Sequence, residues 1–139
     1  MGTNIRAEIS KKNEYWIDKH RYYELKHFCL QYDIFRKAYD SVDVYRNKSA
    51  YLISLNSKNE NKSPIDSAVE SLDYWSSRMK IIEDAARLTD PILGKYIFKA
   101  VITGVGYTYL KTYMNIPCCK DVYYNYYRKF FWILNKLRK

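Results

Sequence analysis

The sequence predicts an all-α fold, a helical bundle with a long N-terminal helix and a C-terminal helix-turn-helix. Three observations lead there. Only four glycines and three prolines interrupt 139 residues, which favours long helices over a strand-rich fold. Apolar side chains recur three and four positions apart over long stretches, the period of a helix with one buried face. Near the C-terminus, Ile116-Pro117 separates a short helical pattern from a longer one. With 47% hydrophobic and 17% aromatic residues, 16 of them tyrosine, the chain can bury a real core.

The elements follow in order. Residues 1–11 are polar and are expected to fray. From Asn13 to Arg46 a single amphipathic helix is expected, with Leu25, Phe28, Tyr32, Phe35, Tyr39 and Val42 along one face. Residues 54–63 (SLNSKNENKS) are too poor in apolar groups to offset their own ordering entropy and read as a polar linker. The chain therefore divides into an N-terminal helical segment (1–53), the linker (54–63) and a helical domain (64–139) that ends in the helix-turn-helix (107–139).

Ser63 and Pro64 supply an N-cap and a first helical position. The helix they start has Ile65, Val69, Leu72, Trp75, Met79, Ile82 and Ala86 on one stripe. That stripe can pack against the first helix or, through Val69, Leu72, Trp75, Met79 and Ile82, form a homodimer seam. Thr89-Asp90-Pro91 repeats the start signal for a helix through Ile92, Tyr96, Ile97 and Ala100 to Thr103. Gly104-Val105-Gly106 stops it and allows a left-handed turn.

The last two helices are expected at Thr108–Asn115 and Lys120–Lys139. Leu110 and Met114, with Tyr113 beside them, give the shorter helix an inward face. Asn115 tolerates a left-handed conformation, Ile116 is placed to plug the core beneath the turn, and Pro117 stops the helix. On the longer helix, Val122, Tyr126, Phe130, Ile133 and Leu137 keep one spacing and are expected inside. Outward positions then include Lys120, Asp121, Tyr124, Asn125 and Arg128. Arg128 can read guanine and Asn125 adenine through paired hydrogen bonds. Lys120, Tyr124 and Lys129 suit phosphate contacts, with Lys136 further along. The competing reading makes the tyrosines core aromatics with hydroxyls reaching solvent, and Arg128 a partner of Asp121.

Charge favours the DNA reading. From Tyr107 to Lys139, seven Lys/Arg face one acidic residue, +6 of the protein's +9. The isoelectric point of about 9.4 points to an acidic partner. No stretch reaches the roughly 18–20 apolar residues of a membrane span, and the N-terminus has no apolar signal core. Cys29, Cys118 and Cys119 make a poor disulfide framework, as expected in a reducing cytoplasm. No cofactor or metal is expected, because His20 and His27 lie far from Cys118. Nor is catalysis, since paired carboxylates, a phosphate-binding glycine loop and a nucleophile–base pair are all missing from the sequence pattern.

The C-terminal pattern is the Leu110/Met114 pair, the Asn115-Ile116-Pro117 turn, Val122 and the Arg128-Lys129-Phe130 end. It resembles bacteriophage late-gene regulators of the ArpU and RinA type and region 4 of sigma factors. The amphipathic helix over 64–88 before a two-glycine break also fits that plan. The resemblance covers residues 64–139 and implies a sigma-like DNA reader. The segment Tyr22-Tyr23-Glu24-Leu25-Lys26-His27-Phe28-Cys29-Leu30-Gln31-Tyr32 looks similar to a small uncharacterised family encoded in prophages of Gram-positive gut bacteria. Tyrosine density and the long N-terminal helix depart from sigma-type readers.

The expected function is thus a phage-type DNA-binding transcriptional regulator in the bacterial cytoplasm. Its partners would be double-stranded DNA and, beyond that, host RNA polymerase or another host protein. One rival is a phage-encoded inhibitor of a host protein or nucleoprotein, of the anti-CRISPR kind, using the Tyr-rich face as its contact. The other is a small-terminase-like packaging protein, which ring-sized oligomers would support.

Overall fold

Asp18 opens the first helix, its carboxylate accepting the His20 N–H at 3.0 Å, the side-chain cap that an N-terminal turn needs. The computed structural model describes residues 11–55 and 64–139, and in these it has six helices and no strand. They are α1 (Lys19–Leu30), α2 (Tyr32–Leu55), α3 (Pro64–Thr89), α4 (Gly94–Thr103), α5 (Tyr107–Met114) and α6 (Lys120–Leu137).

The single long helix expected over 13–46 is two. Gln31 (φ −87°, ψ 1°) leaves helical geometry, its backbone N–H reaches the Phe28 carbonyl at 3.2 Å, and its side-chain amide donates to the His27 carbonyl, also at 3.2 Å. A side chain that satisfies a terminal carbonyl can end a helix where no Gly or Pro marks the spot.

The chain forms two compact units, Met1–Gln31 with Ile81–Lys139 and Tyr32–Lys80, a different grouping from the division at 54–63. Residues 54 and 55 belong to α2, whereas 56–63 lie outside the described residues.

In the Tyr32–Lys80 unit, α2 meets the first part of α3 through a stacked Phe35–Trp75 pair with ring centroids 5.9 Å apart. The Arg78 guanidinium sits 5.6 Å over Phe35 and 4.4 Å over Tyr74. Leu72 and Met79 are buried, Trp75 is half-buried and Val69 is exposed.

The other unit surrounds α4, which packs on α1, α5 and α6. Its fully buried side chains include Leu25, Ile82, Ile97, Leu110, Ile116, Tyr123, Phe130, Phe131 and Leu134. Across the α1–α6 seam, Tyr22 meets Phe131 edge-on at 5.0 Å and shares a buried 2.8 Å hydroxyl–hydroxyl bond with Tyr127. Arg21 donates from Nε to Asn135 Oδ1 at 2.6 Å and from its other end to the Arg138 carbonyl. The Arg138 guanidinium lies 4.2 Å over Phe28.

Between α3 and α4, Asp90 caps as its sequence position implies, its carboxylate accepting the N–H groups of Ile92 (2.9 Å) and Leu93 (2.7 Å). Pro91–Leu93 form a turn, and the regular helix starts only at Gly94. There the backbones almost touch, since a Cβ on Gly94 would lie 2.6 Å from the Ala86 carbonyl oxygen. Gly94→Ala must push α4 away from α3 and is expected to cost about 1–3 kcal/mol, read as a lower midpoint in urea unfolding. α4 ends at Gly104, whose φ of 83° needs a residue without Cβ, and whose N–H reaches the Ala100 carbonyl at 2.7 Å.

Candidate nucleic-acid interface

The turn between α5 and α6 is built from the residues that the sequence marks for it. Asn115 adopts the left-handed conformation (φ 54°, ψ 48°), and its N–H donates to the Leu110 carbonyl. The Ile116 N–H donates to the same oxygen at 3.2 Å, closing the helix end, and the Ile116 side chain is fully buried beneath the turn. Pro117 faces solvent, and Cys119, in extended geometry, precedes α6. Tyr107 fastens the two helices together. Its hydroxyl donates to the Cys118 carbonyl at 2.6 Å, and its ring lies 5.6 Å from that of Tyr123. With α4 behind both, α4–α5–α6 form a three-helix arrangement whose last helix is the long basic one.

The face of α6 that turns inward is not the expected one. Val122 is 41% exposed and Leu137 39%, while Tyr126 and Ile133 are half-buried. The core side is Tyr123, Tyr127, Phe130 and Leu134, flanked by Tyr124 and Phe131. The helix is therefore rotated by one residue, about 100°, from the sequence expectation, with Phe130 common to both stripes. Tyr113, expected beside the inward face of α5, is 74% exposed, and Met114 is half-buried.

This rotation sorts the candidate residues. Lys120 and Asn125 are exposed on the first two turns. Tyr124, expected at phosphate, is only 5% exposed and packs against Tyr123 and Tyr127 at 4.9 and 6.0 Å; it is a core residue. Arg128 and Lys129 are half-buried, Lys129 lying 5.8 Å over the Tyr126 ring. Lys136 is exposed and holds its ammonium 3.5 Å over Trp132. On the wheel Asn125, Lys129 and Lys136 point the same way and Arg128 sits on the flank.

Sequence reasoning missed the other side of Trp132. Tyr15 of the N-terminal segment meets it edge-on with centroids 5.5 Å apart. No local pattern links residues so far apart, and only an unpaired aromatic on each segment hints at it.

The seam residues are taken up within the chain. Leu72, Met79 and Ile82 are buried and Trp75 stacks on Phe35, which leaves Val69 as the exposed member. A homodimer through this stripe would have to open the fold.

The charge is divided unevenly. The unit that contains α6 has sixteen Lys/Arg against eight acids, a net +8, and the Tyr32–Lys80 unit has eight against seven, a net +1. Behind the basic surface the tyrosines stay neutral. Burial pushes the Tyr22 phenol up to about 12, and pushes Tyr123 and Tyr127 up as well. Burial also raises the Cys29 and Cys118 thiols, which disfavours the thiolate that nucleophilic chemistry needs. Among the described residues no three His, Cys, Asp or Glu side chains gather as a metal site, and no helix is long and apolar enough to cross a membrane. No family model, no curated protein and no solved structure matches the chain.

Proposed function

We propose that this protein is a phage-type regulator of transcription that binds double-stranded DNA by laying the first turns of α6 in the major groove. The observation that supports this reading best is the outward stripe of α6. It runs from Asn125 through Lys129 to Lys136, with Lys120 exposed at the start of the helix, on the unit that holds +8 of the net charge. A helix held from behind by two others, with its N-terminal half open, is the arrangement in which recognition helices present side chains to base edges. Asn125 is the base reader, pairing with adenine, and Arg128 reaches in from the flank. Lys120, Lys129 and Lys136 neutralise phosphates, so affinity falls steeply with salt. Tyr124 takes no part.

Binding of the full chain to a pool of short random duplexes at two salt concentrations tests this. Wild type is expected to enrich a defined motif. Asn125→Ala is expected to lose about 1–3 kcal/mol on that motif and to relax one position of it. Lys129→Ala is expected to weaken all duplexes alike. Weak binding with no enriched motif would overturn the reading.

A second reading, capture of a host protein such as RNA polymerase or a nuclease, is favoured by one observation. On α5 the exposed Tyr109 and Tyr113 stand side by side, ring centroids 4.9 Å apart, and exposed tyrosine pairs make effective protein contacts. Tyr113→Ala separates the two readings, since it leaves duplex binding by α6 intact.

A further inference from the structure

The N-terminal segment lies on the same side of α6 as the Lys129–Lys136 stripe, and the role assigned to it below rests on α6 being the DNA-binding helix. The segment is anchored at its inner end. Asn13 Oδ1 accepts the Tyr15 N–H at 2.8 Å and the Asn13 carbonyl accepts the Trp16 N–H at 3.1 Å, which turns the chain. Ile17 is buried, and Asp18 caps α1. Between these points Tyr15 packs on Trp132, and its phenol is near enough to Tyr126 to be raised by it, after burial and Glu14. Trp132 stands between Lys129 and Lys136, three residues from one and four from the other. The segment therefore meets α6 at the level of its Lys129 and Lys136 cations.

A segment in that place either covers the stripe or extends it, and the placement of its charges decides. Of its two acids, Asp18 serves as the α1 cap, and Glu14, between Lys12 and Tyr15, interacts with Tyr15. Its cations are at the outer end. Lys11 and Lys12 are exposed, with Lys11 Nζ 5.7 Å over Trp16. Lys12 is three residues from Tyr15, a reach of about 10 Å at full extension. A cover for Lys129 and Lys136 would pair carboxylates with them, whereas Glu14 interacts with Tyr15, those two lysines lie over Tyr126 and Trp132, and Lys11 and Lys12 add charge of the same sign.

We infer that residues 11–15 form a basic arm, docked on α6 through Tyr15 and Trp132, and that Lys11 and Lys12 bind phosphates of the duplex held by α6. The arm contributes affinity without sequence preference, because phosphate contacts position a protein but do not read bases.

The test is the salt dependence of duplex binding for the full chain, for Lys11→Ala/Lys12→Ala and for Tyr15→Ala. Each phosphate contact adds about 0.9 to the slope of log affinity against log salt. The double variant is expected to bind several-fold more weakly, with a slope shallower by about 1.8 and an unchanged motif. Tyr15→Ala keeps every charge, so a slope that moves in the same direction identifies docking of the arm rather than overall charge. A wild-type slope in the double variant overturns the arm, and so does tighter binding, which would make the segment a cover. If binding depends on Asn125 and Lys129 but not on Lys11 and Lys12, the α6 reading stands and the arm falls. If wild type binds no duplex, both fall. Circular dichroism melts of each variant confirm that the fold is kept, and the lysine pair, being on the surface, tests the arm even if Tyr15→Ala unfolds.

Discussion

Phe131→Ala is expected to lower the unfolding free energy by about 3–5 kcal/mol, the usual cost of emptying an aromatic site in a packed core. The Phe131 ring has Tyr22 and Tyr127 at 5.0 Å and Phe130 at 4.9 Å, so its loss opens the α1–α6 seam from within. Val122→Ala and Leu137→Ala, at positions 41% and 39% exposed near the two ends of the same helix, are expected to change stability by no more than about 1 kcal/mol. Urea unfolding followed by circular dichroism reads all three. Should the chain unfold in two steps, only the transition of the unit containing α6 moves. The reverse ranking, with Val122 and Leu137 costly and Phe131 cheap, would restore the face that periodicity alone suggests.

That contrast explains what the sequence can and cannot convey about this protein. Local stop and start chemistry is legible because it acts over a few residues. Asn115 and Gly104 take up left-handed geometry, Asp90 caps the turn before α4, and Ile116 fills the space under the α5–α6 turn. The inward face of α6 is not legible, because aromatic residues occur in adjacent pairs on turn after turn. Tyr123-Tyr124, Tyr126-Tyr127 and Phe130-Phe131 leave a plausible apolar stripe after a rotation of one residue. Tyrosine compounds this, since its ring suits a core and its hydroxyl suits solvent. The break at Gln31 is hidden for a related reason. Phe28, Tyr32 and Phe35 continue the helical spacing across it, and glutamine is a good helix former. Among the candidate contacts, Asn125 and Lys136 reach solvent because they point away from the buried face and Lys120 because it is the first residue of α6, whereas Tyr124 is carried into the core by the change of face.

The neutral tyrosines behind the basic helix set a limit on alkaline stability. In an unfolded chain a phenol ionises near pH 10 and a thiol near 8.5. In the folded protein Tyr22 is held at about 12, and Tyr123 and Tyr127 are also raised, in each case chiefly by burial. The bond that Tyr22 shares with Tyr127 lowers the first and raises the second, so Tyr127 acts as donor when Tyr22 ionises. Cys29 is raised by burial too. The sign follows from these directions. With folded values above unfolded ones, the stability due to the neutral forms is complete below the unfolded values. It is lost as pH rises toward the folded ones, because the unfolded state then binds fewer protons. Each group costs up to about 1.4 kcal/mol per pH unit. The three phenols together remove about 4 kcal/mol per unit between pH 10 and 12, with Cys29 contributing from lower pH. A domain in the lower part of the usual range of about 5–15 kcal/mol does not survive that interval. The expected result is loss of helicity between about pH 10 and 12, with exposed tyrosines ionising beforehand and the buried ones only as the helices melt. In Tyr22→Phe/Tyr127→Phe both partners of the buried bond are removed together, which is nearly neutral at about pH 7, and the alkaline slope is expected to fall by about half. Phenolate absorbance recorded beside circular dichroism tests the account. Complete tyrosine ionisation with the helices intact would mean that solvent reaches the cluster in the folded state, and that the face of α6 assigned to the core is open to water.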